Sequence, residues 1–370
     1  MPDSSYSPVF ELTRGKTVES IHYGAGAVVD VHGNLLASFG NPSTTTFLRS
    51  TAKPFQAIPL LEHGGQESFG LSPREIAVMC ASHSGTDNHL EVVKALQRKT
   101  GVAESDLMCG THEPIHEPTA EMLRNRKELP TPNRHNCSGK HSGMLAYVHL
   151  KERLGETFSG ELSYIDPLHP IQQEIVRTFA EMCELPVTSV KMGIDGCSAP
   201  NFAVPLRNAA LAFSRLCDPE TGAVSPPTRV MACKNITSAM MSNPDMVGGP
   251  GRFDTRLMQI GRGRILSKGG AEAYHGIGLL PGAIAPGSPS IGIALKISDG
   301  DDRKKACNAV VLEVLRQLGV LSADDMEALA DFGPWYDIFN WRKLVVGEAR
   351  TNFDLKYSRK YGLIYEKSTW

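Results

Sequence analysis

The sequence predicts an α+β fold in a single catalytic domain over residues 1–370, and three observations carry that prediction. Strand-like stretches stand at both ends of the chain with helical stretches between them, unlike the regular alternation of a doubly wound sheet. No repeat, low-complexity tract or linker-like segment divides the chain. Its 370 residues, 41% hydrophobic and 21% charged, suffice for a sizeable core of ordinary globular composition.

The elements follow in order. Residues 8–40 read as β-rich: Ala27–Val31 and Leu35–Gly40 flank the turn His32-Gly33-Asn34 as a hairpin. Thr44–Leu48 is extended and Ala57–Glu62 helical, so Ser50 lies where a strand turns into a helix. Pro54 fits only a first helical turn, so either the helix starts just after Ser50 or the chain turns more tightly there as 3₁₀. Ser72-Pro73 with Glu75 is a helix-start signature, although Ile76–Cys80 also reads as a buried strand. A polar loop at 81–87 precedes an amphipathic helix over 88–96, and 118–128 is helical as well. The densest polar cluster, Arg134–Gly143, runs into a helix expected to start near Met144. Helices are expected at 171–183, 205–216, 228–241 and 304–318, and a strand feeding a polar turn at 189–200. Gly248–Asp254 reads as a loop, 264–270, 277–283 and 290–297 as strands, and 335–350 as a mixed closing segment.

Charge narrows the partners. Lysine plus arginine number 38 against 40 acidic residues, a net charge of −2 with no polybasic block, which argues against nucleic acid or anionic membrane as the main partner. No apolar run approaches the ~20 residues of a membrane helix. Met1–Tyr6 lacks a basic segment leading into an apolar one, so no secretory leader is expected. Eight irregularly spaced cysteines, none in a C-x-x-C pair, are then expected as reduced thiols in the cytoplasm.

Several stretches bear chemistry. His112-Glu113-Pro114-Ile115-His116 has the zinc-protease spacing, but Pro114 forbids the helix that would align both imidazoles. The glycine-rich stretches lack the phosphate-binding patterns. Cys137-Ser138-Gly139-Lys140-His141 reads three ways: a Cys–His nucleophile pair, half of a metal site with Cys197 as partner thiolate, or a structural loop. Ser50 and Lys53, at i and i+3, can share one face of a helical turn, where a lysine can act as base for a hydroxyl nucleophile. Alone this pattern is weak. Followed by Ser82-His83-Ser84 and Lys268-Gly269-Gly270, it reproduces the chain order of the penicillin-recognising S-x-x-K, S-D-N and K-T-G elements. In that arrangement the Ser50 amide and one from the Lys268–Gly270 strand would bind the oxyanion.

Read together, R-S-T-A-K-P-F-Q-A (49–57), C-A-S-H-S-G (80–85), H-N-C-S-G-K-H-S-G-M-L (135–145), D-G-C-S-A-P (195–200), G-R-F-D (251–254) and S-K-G-G-A-E (267–272) resemble the Rhizobium-type L-asparaginases of the asparaginase II family, over about residues 15–350. The resemblance implies hydrolysis of L-asparagine to L-aspartate and ammonia, by an antiparallel sheet flanked by helices, similar to serine β-lactamases and glutaminases, in a homodimer. It implies two Ser–Lys tandems, Ser50 with Lys53 and Ser82 with Lys268, and a zinc ion held by Cys137, Lys140 and Cys197. Arg49, His141 and Asp195 fall where the family lines its substrate pocket. Ser84–Asp87 departs from some relatives, which bears on selectivity. Two rival readings are another serine acyl hydrolase, disfavoured by the missing S-D-N, and a zinc-binding protein without turnover.

Overall fold

The architecture rests on strands that are apolar on both faces. The computed structural model describes residues 5–158, 162–301 and 305–358; the first four residues of the chain and the expected helix start at Lys304 lie outside them. The strands are β1 (Ser7–Arg14), β2 (Thr17–Asp30), β3 (Leu35–Phe39), β4 (Thr45–Phe47), β5 (Lys191–Ile194), β6 (Pro200–Pro205), β7 (Ile265–Gly269), β8 (Tyr274–Leu279), β9 (Ile291–Ile297), β10 (Trp335–Phe339), β11 (Val345–Thr351) and β12 (Lys356–Tyr357). They form one large sheet ordered β10-β11-β1-β2-β9-β8-β7, with β3 pairing β2 and β12, and a small one ordered β4-β6-β5. Adjacent strands in both are antiparallel.

Alternation along the central strands splits the apolar residues between two cores, because successive side chains leave opposite faces. Ala25, Ala27 and Val29 of β2, Leu266 of β7 and Ala294 of β9 enter one core, which is capped by the helices Lys53–Glu62, Pro73–Met79, Ser138–Arg153, Pro170–Met182, Leu206–Cys217 and Pro227–Ser242. Val28, Ile265, Ile277, Ile293 and Leu295 enter the other, beneath the helices Phe253–Gly261 and Lys305–Gln317. The fold is thus α+β, with an antiparallel sheet flanked by helices, as expected. Among the described residues no helix is long and apolar enough to cross a membrane.

Most elements lie where local chemistry puts them. The 27–40 hairpin forms, and Ser72 caps Pro73–Met79 through a full capping box with Glu75, so that stretch is a helix and not a strand. Three expectations need correction. The polar cluster is no loop: its helix starts at Ser138, six residues before Met144. Gly139 and Gly143 explain this, since they let that helix lie against Val78 and Met79, where a Cβ on Gly139 would stand 2.1 Å from the Val78 carbonyl. Packing therefore outweighs the poor helix propensity of glycine. Strand β8 begins at Tyr274, three residues earlier than the sequence suggests, in register with β7 and β9. A helix, Phe253–Gly261, follows the glycine-rich loop directly.

Candidate active site

Strand β4 delivers the chain to Ser50. Leu48 N–H bonds to the Phe202 carbonyl of β6 (2.9 Å), and the backbone then reverses at Arg49, which holds a left-handed φ of 53°. A non-glycine residue in that region carries strain, so its neighbours must fix it. The Arg49 N–H donates to Asn201 Oδ1 (3.0 Å), and the Arg49 side chain is tied down as well. A 3₁₀ turn, Arg49–Ala52, leads into the Lys53–Glu62 helix, with Pro54 in its first turn where a missing N–H costs nothing. The tighter of the two turns allowed by the sequence is the one formed. Its first hydrogen bond runs from Thr51 N–H to the Leu48 carbonyl. The Ser50 hydroxyl is half-buried, makes no hydrogen bond among the described residues, and lines a cavity of about 250 Å³ together with Ser82.

The two lysines converge on Ser82. Lys53, 1% exposed, donates to the Ala81 carbonyl (2.6 Å), the Ser82 Oγ (3.0 Å) and the Asn136 carbonyl (3.2 Å). Lys268, fully buried on β7, donates to Ser82 Oγ (2.9 Å) and to the Gly269 carbonyl (2.7 Å). The expected Ser82–Lys268 contact forms. The expected direct Ser50–Lys53 bond does not, and the reason is satisfaction: a buried ammonium has three N–H groups to place, and two carbonyls with Ser82 take all three. Burial, abetted by the neighbouring Lys53, lowers the Lys268 ammonium to about 7 even though Asp254 opposes the shift. Near neutral pH a share of Lys268 is therefore a free amine able to accept a proton.

The strand donors expected for an oxyanion are already used. Gly269 N–H bonds to both carboxylate oxygens of Asp254 (3.0 and 2.9 Å), and Gly270 N–H bonds to the Tyr274 carbonyl (2.8 Å). Asp254 and His275 line the same cavity and do not stand out in the sequence. The available signal is G-R-F-D itself, whose aspartate lies on the first turn of a helix aimed at β7.

On the other side of Ser50 lies a second polar group. Arg49 Nε meets Asp195 Oδ1 at 2.5 Å, and its Nη1 stands 3.6 Å from Glu272 Oε1. Burial pushes the Asp195 carboxyl up, but the Arg49 bond and the nearby Lys140 outweigh it and hold the group below its ordinary range. The tight turn between β5 and β6 presents Cys197, whose thiol points at Asp195 Oδ2 (3.4 Å) and accepts from Lys140 Nζ at 2.7 Å. The neighbouring Cys197, with the cations of Lys53 and Lys140, holds the Cys137 thiol well below its usual range, while Cys137 and burial raise the Cys197 thiol. His141 bonds Tyr164 through Nδ1 (2.7 Å), burial lowers it to about 4, and its buried Nε2 has no hydrogen-bond partner among the described residues. The structure thus gathers Cys137, Lys140, His141, Asp195, Cys197 and Arg49 into one cluster beside Ser50. The His112–His116 stretch is non-helical, as Pro114 requires, and its Ile115 lines the cavity. Among the described residues no group of three or more His, Cys, Asp or Glu side chains is placed to hold a metal ion, so zinc on Cys137 and Cys197 would need Lys140 as a ligand, although, against burial, the two sulfurs hold that lysine above its ordinary range.

An α+β fold that places two serine hydroxyls on one small cavity, with two buried lysines bonded to one of them, has the parts of a hydrolase site. Residues 10–351 match the model of the L-asparaginase II family, nearly the whole chain, and the protein belongs to that family and is an amidohydrolase. Among curated proteins no match is found. Among solved structures, a probable glutaminase from Bacillus subtilis complexed with 6-diazo-5-oxo-L-norleucine is similar at 10% identity, with 80% of this chain and 84% of that one covered and a TM-score of 0.38. A Bacillus glutaminase follows at 11% identity, 80% and 92% coverage and a TM-score of 0.37.

Proposed function

We propose that this amidohydrolase is an L-asparaginase, cleaving the side-chain amide of L-asparagine to L-aspartate and ammonia. The observation that carries the reading is the convergence of Lys53 and Lys268 on Ser82 in a cavity shared with the uncommitted Ser50 hydroxyl, in a chain of the L-asparaginase II family. A nucleophile must be approachable and a proton relay must be held. Ser50 is the former; Ser82, 7% exposed and bonded by two lysines, is the latter.

In the proposed reaction the Ser50 oxygen attacks the amide carbon, and its proton passes through Ser82 to the amine of Lys268, with Lys53 holding the relay. The Ser50 N–H faces the developing oxyanion. The carbon–nitrogen bond breaks as the proton returns to the departing ammonia, leaving a β-aspartyl ester on Ser50. Water then hydrolyses the ester by the same relay in reverse. Asparagine is a zwitterion, and the Arg49–Asp195 pair offers one charge of each sign: the α-carboxylate exchanges onto Arg49 and the α-ammonium onto Asp195, so neither partner is left uncompensated. His141 is buried in the same cluster, bonded to Tyr164. Cys137, Cys197 and Lys140 would hold a zinc ion, which when bound supplies positive charge that orders these groups beside the substrate. As a ligand Lys140 must give up its proton, which a divalent cation in contact promotes. We also propose a cytoplasmic homodimer, which light scattering tests.

Ammonia release from asparagine, measured beside glutamine, tests the activity; no release from asparagine would refute it. Mass spectrometry of the acyl-enzyme trapped on a Ser82→Ala background tests the nucleophile. Because both lysines touch Ser82, a second reading has Ser82 attack directly, and an adduct on Ser82 in the unsubstituted protein would establish it.

A further inference from the structure

Strand β7 carries its functional residue between two that do something else. Leu266 and Lys268 share one face of the sheet, the face of the core that holds the Ser50 and Ser82 elements, whereas Ile265, Ser267 and Gly269 look to the opposite core. On that opposite side waits Asp254, from the first turn of the Phe253–Gly261 helix. Its Oδ1 accepts the Ser267 hydroxyl at 2.7 Å and the Gly269 N–H at 3.0 Å, and its Oδ2 accepts the same N–H at 2.9 Å. One carboxylate therefore grips the residues on both sides of Lys268. His275, opposite Gly269 in the β7–β8 register, closes the group: its Nε2 stands 2.9 Å from Ser267 Oγ and 3.3 Å from Asp254 Oδ1. Burial works against the Asp254 charge, yet the His275 bond, Lys268 and the Gly269 N–H hold its carboxyl far below the ordinary range, so it is an anion at any working pH. No part of the proposed proton relay uses Ser267, Asp254 or His275.

We propose that Asp254, braced by Ser267 and His275, is the positioning residue for Lys268: by pinning the flanking residues to one face of β7 it fixes the lysine on the other face, with its nitrogen on Ser82. The inference rests on the reading that Lys268 moves protons for amide hydrolysis. The anion also biases the charge of that lysine. Five other groups face Lys268: Lys53 from the Lys53–Glu62 helix, Arg252 from the glycine-rich loop, Cys137 beside the Ser138–Arg153 helix, Cys80 at the end of the Pro73–Met79 helix, and Ser82. Of the charges among them Lys53 and Arg252 disfavour the ammonium, so Asp254 is its chief support.

The test is Asp254→Asn, which keeps an acceptor oxygen and removes the charge. The expected result is a fall in kcat of about 100-fold with KM changed less than about threefold, and a shift of the pH limb that reports Lys268 toward lower pH by about one unit or more. A residue that merely held the fold together would lower the amount of active protein and leave that limb in place. Ser267→Ala is the second variant: it loosens the grip and keeps the charge, so kcat falls about three- to tenfold with the limb unmoved. Unchanged kcat in Ser267→Ala, or an unmoved limb in folded Asp254→Asn, overturns the proposal. A readout independent of turnover separates this inference from the reading beneath it. In protein labelled with ¹³C-lysine, the Lys268 signal, assigned by its loss in Lys268→Arg, titrates lower in Asp254→Asn than in the unsubstituted protein. If asparagine is not hydrolysed but that titration moves, the substrate reading fails and the Asp254–Lys268 coupling stands; if hydrolysis is normal and the titration is unmoved, the coupling fails alone.

Discussion

At the scale of single residues, charge placement governs both recognition and stability. Asp195 already has a cationic partner in Arg49, at 2.5 Å, and the proposed substrate brings a second cation. Asp195→Asn removes the anion that the α-ammonium needs, at a cost of about 2 kcal/mol or more, so the KM for asparagine rises about 30-fold while kcat changes much less. An analogue lacking the α-amino group should show a far smaller change in KM. A large loss in kcat at constant KM would instead place Asp195 in the chemical step. Lys268 yields a stability prediction whose sign can be worked out. Unfolded, its side chain titrates near 10.5; folded, burial brings it to about 7. Between those values the unfolded chain holds a proton that the native protein has shed, so this group's contribution makes the fold more stable as pH rises from about 7 to about 10.5. Below 7 the native state bears the whole cost of the buried ammonium. Lys268→Met should thus abolish activity and raise the melting midpoint, by the equivalent of a few kcal/mol at pH 7 and below, with the gain vanishing above about 10.5. Calorimetry across that pH range checks it, and a gain independent of pH would show that the buried ammonium is not its cause.

At the scale of elements, the Ser138–Arg153 helix owes its place to two glycines. A Cβ on Gly139 would stand 2.1 Å from the Val78 carbonyl oxygen, a backbone atom that cannot step aside, whereas on Gly143 it would meet the Met79 sulfur at 2.8 Å, on a side chain able to turn. Gly139→Ala should therefore cost about 3 kcal/mol and disturb Cys137 and Lys140, while Gly143→Ala should cost about 1 kcal/mol or less; urea unfolding of the two variants side by side measures the difference. The same helix shows what the sequence could and could not reveal. The capping box at Ser72 and the hairpin at 27–40 are local events, written in residues a few positions apart. The early helix start at Ser138 depends on a partner some 60 residues away, which no local propensity records. The site divides in the same manner. Ser50, Ser82 and Lys268 are legible as a motif order, but the target of Lys53 is not, because it is decided by the Ala81 and Asn136 carbonyls that the fold brings up. Asp254 stands within the G-R-F-D motif, yet its role depends on β7, and an aspartate after a glycine-rich loop resembles any helix-start residue.

At the scale of the whole molecule, the site sits where three layers meet. The helical layer contributes Ser50, Lys53, Ser82, Cys137 and Lys140; the large sheet contributes Lys268; and the small β4-β6-β5 sheet contributes Cys197 and Asp195 through its turn. The hydrogen bond from Lys140 to Cys197 joins the first layer to the third. A zinc ion bound by those three side chains would make that junction a tie between elements distant in sequence, and an ion that binds only the folded chain stabilises it by mass action, about 2.7 kcal/mol at a hundredfold excess over its Kd. Zinc should thus raise the melting midpoint of the unsubstituted protein, and elemental analysis should find one ion per chain. Cys197→Ser should lose both effects, with the hydroxyl keeping the turn nearly isosteric. Lys140→Met, which fills similar space and keeps both thiols, should weaken binding without abolishing it. Equal zinc uptake by the unsubstituted protein and a Cys137→Ser/Cys197→Ser double variant would place the ion elsewhere. Kinetics of the chelated enzyme then separate two roles. If the ion orders the Asp195–Arg49 side of the pocket, removing it raises KM for asparagine and spares much of kcat, because the Ser82–Lys268 contact lies in the other two layers.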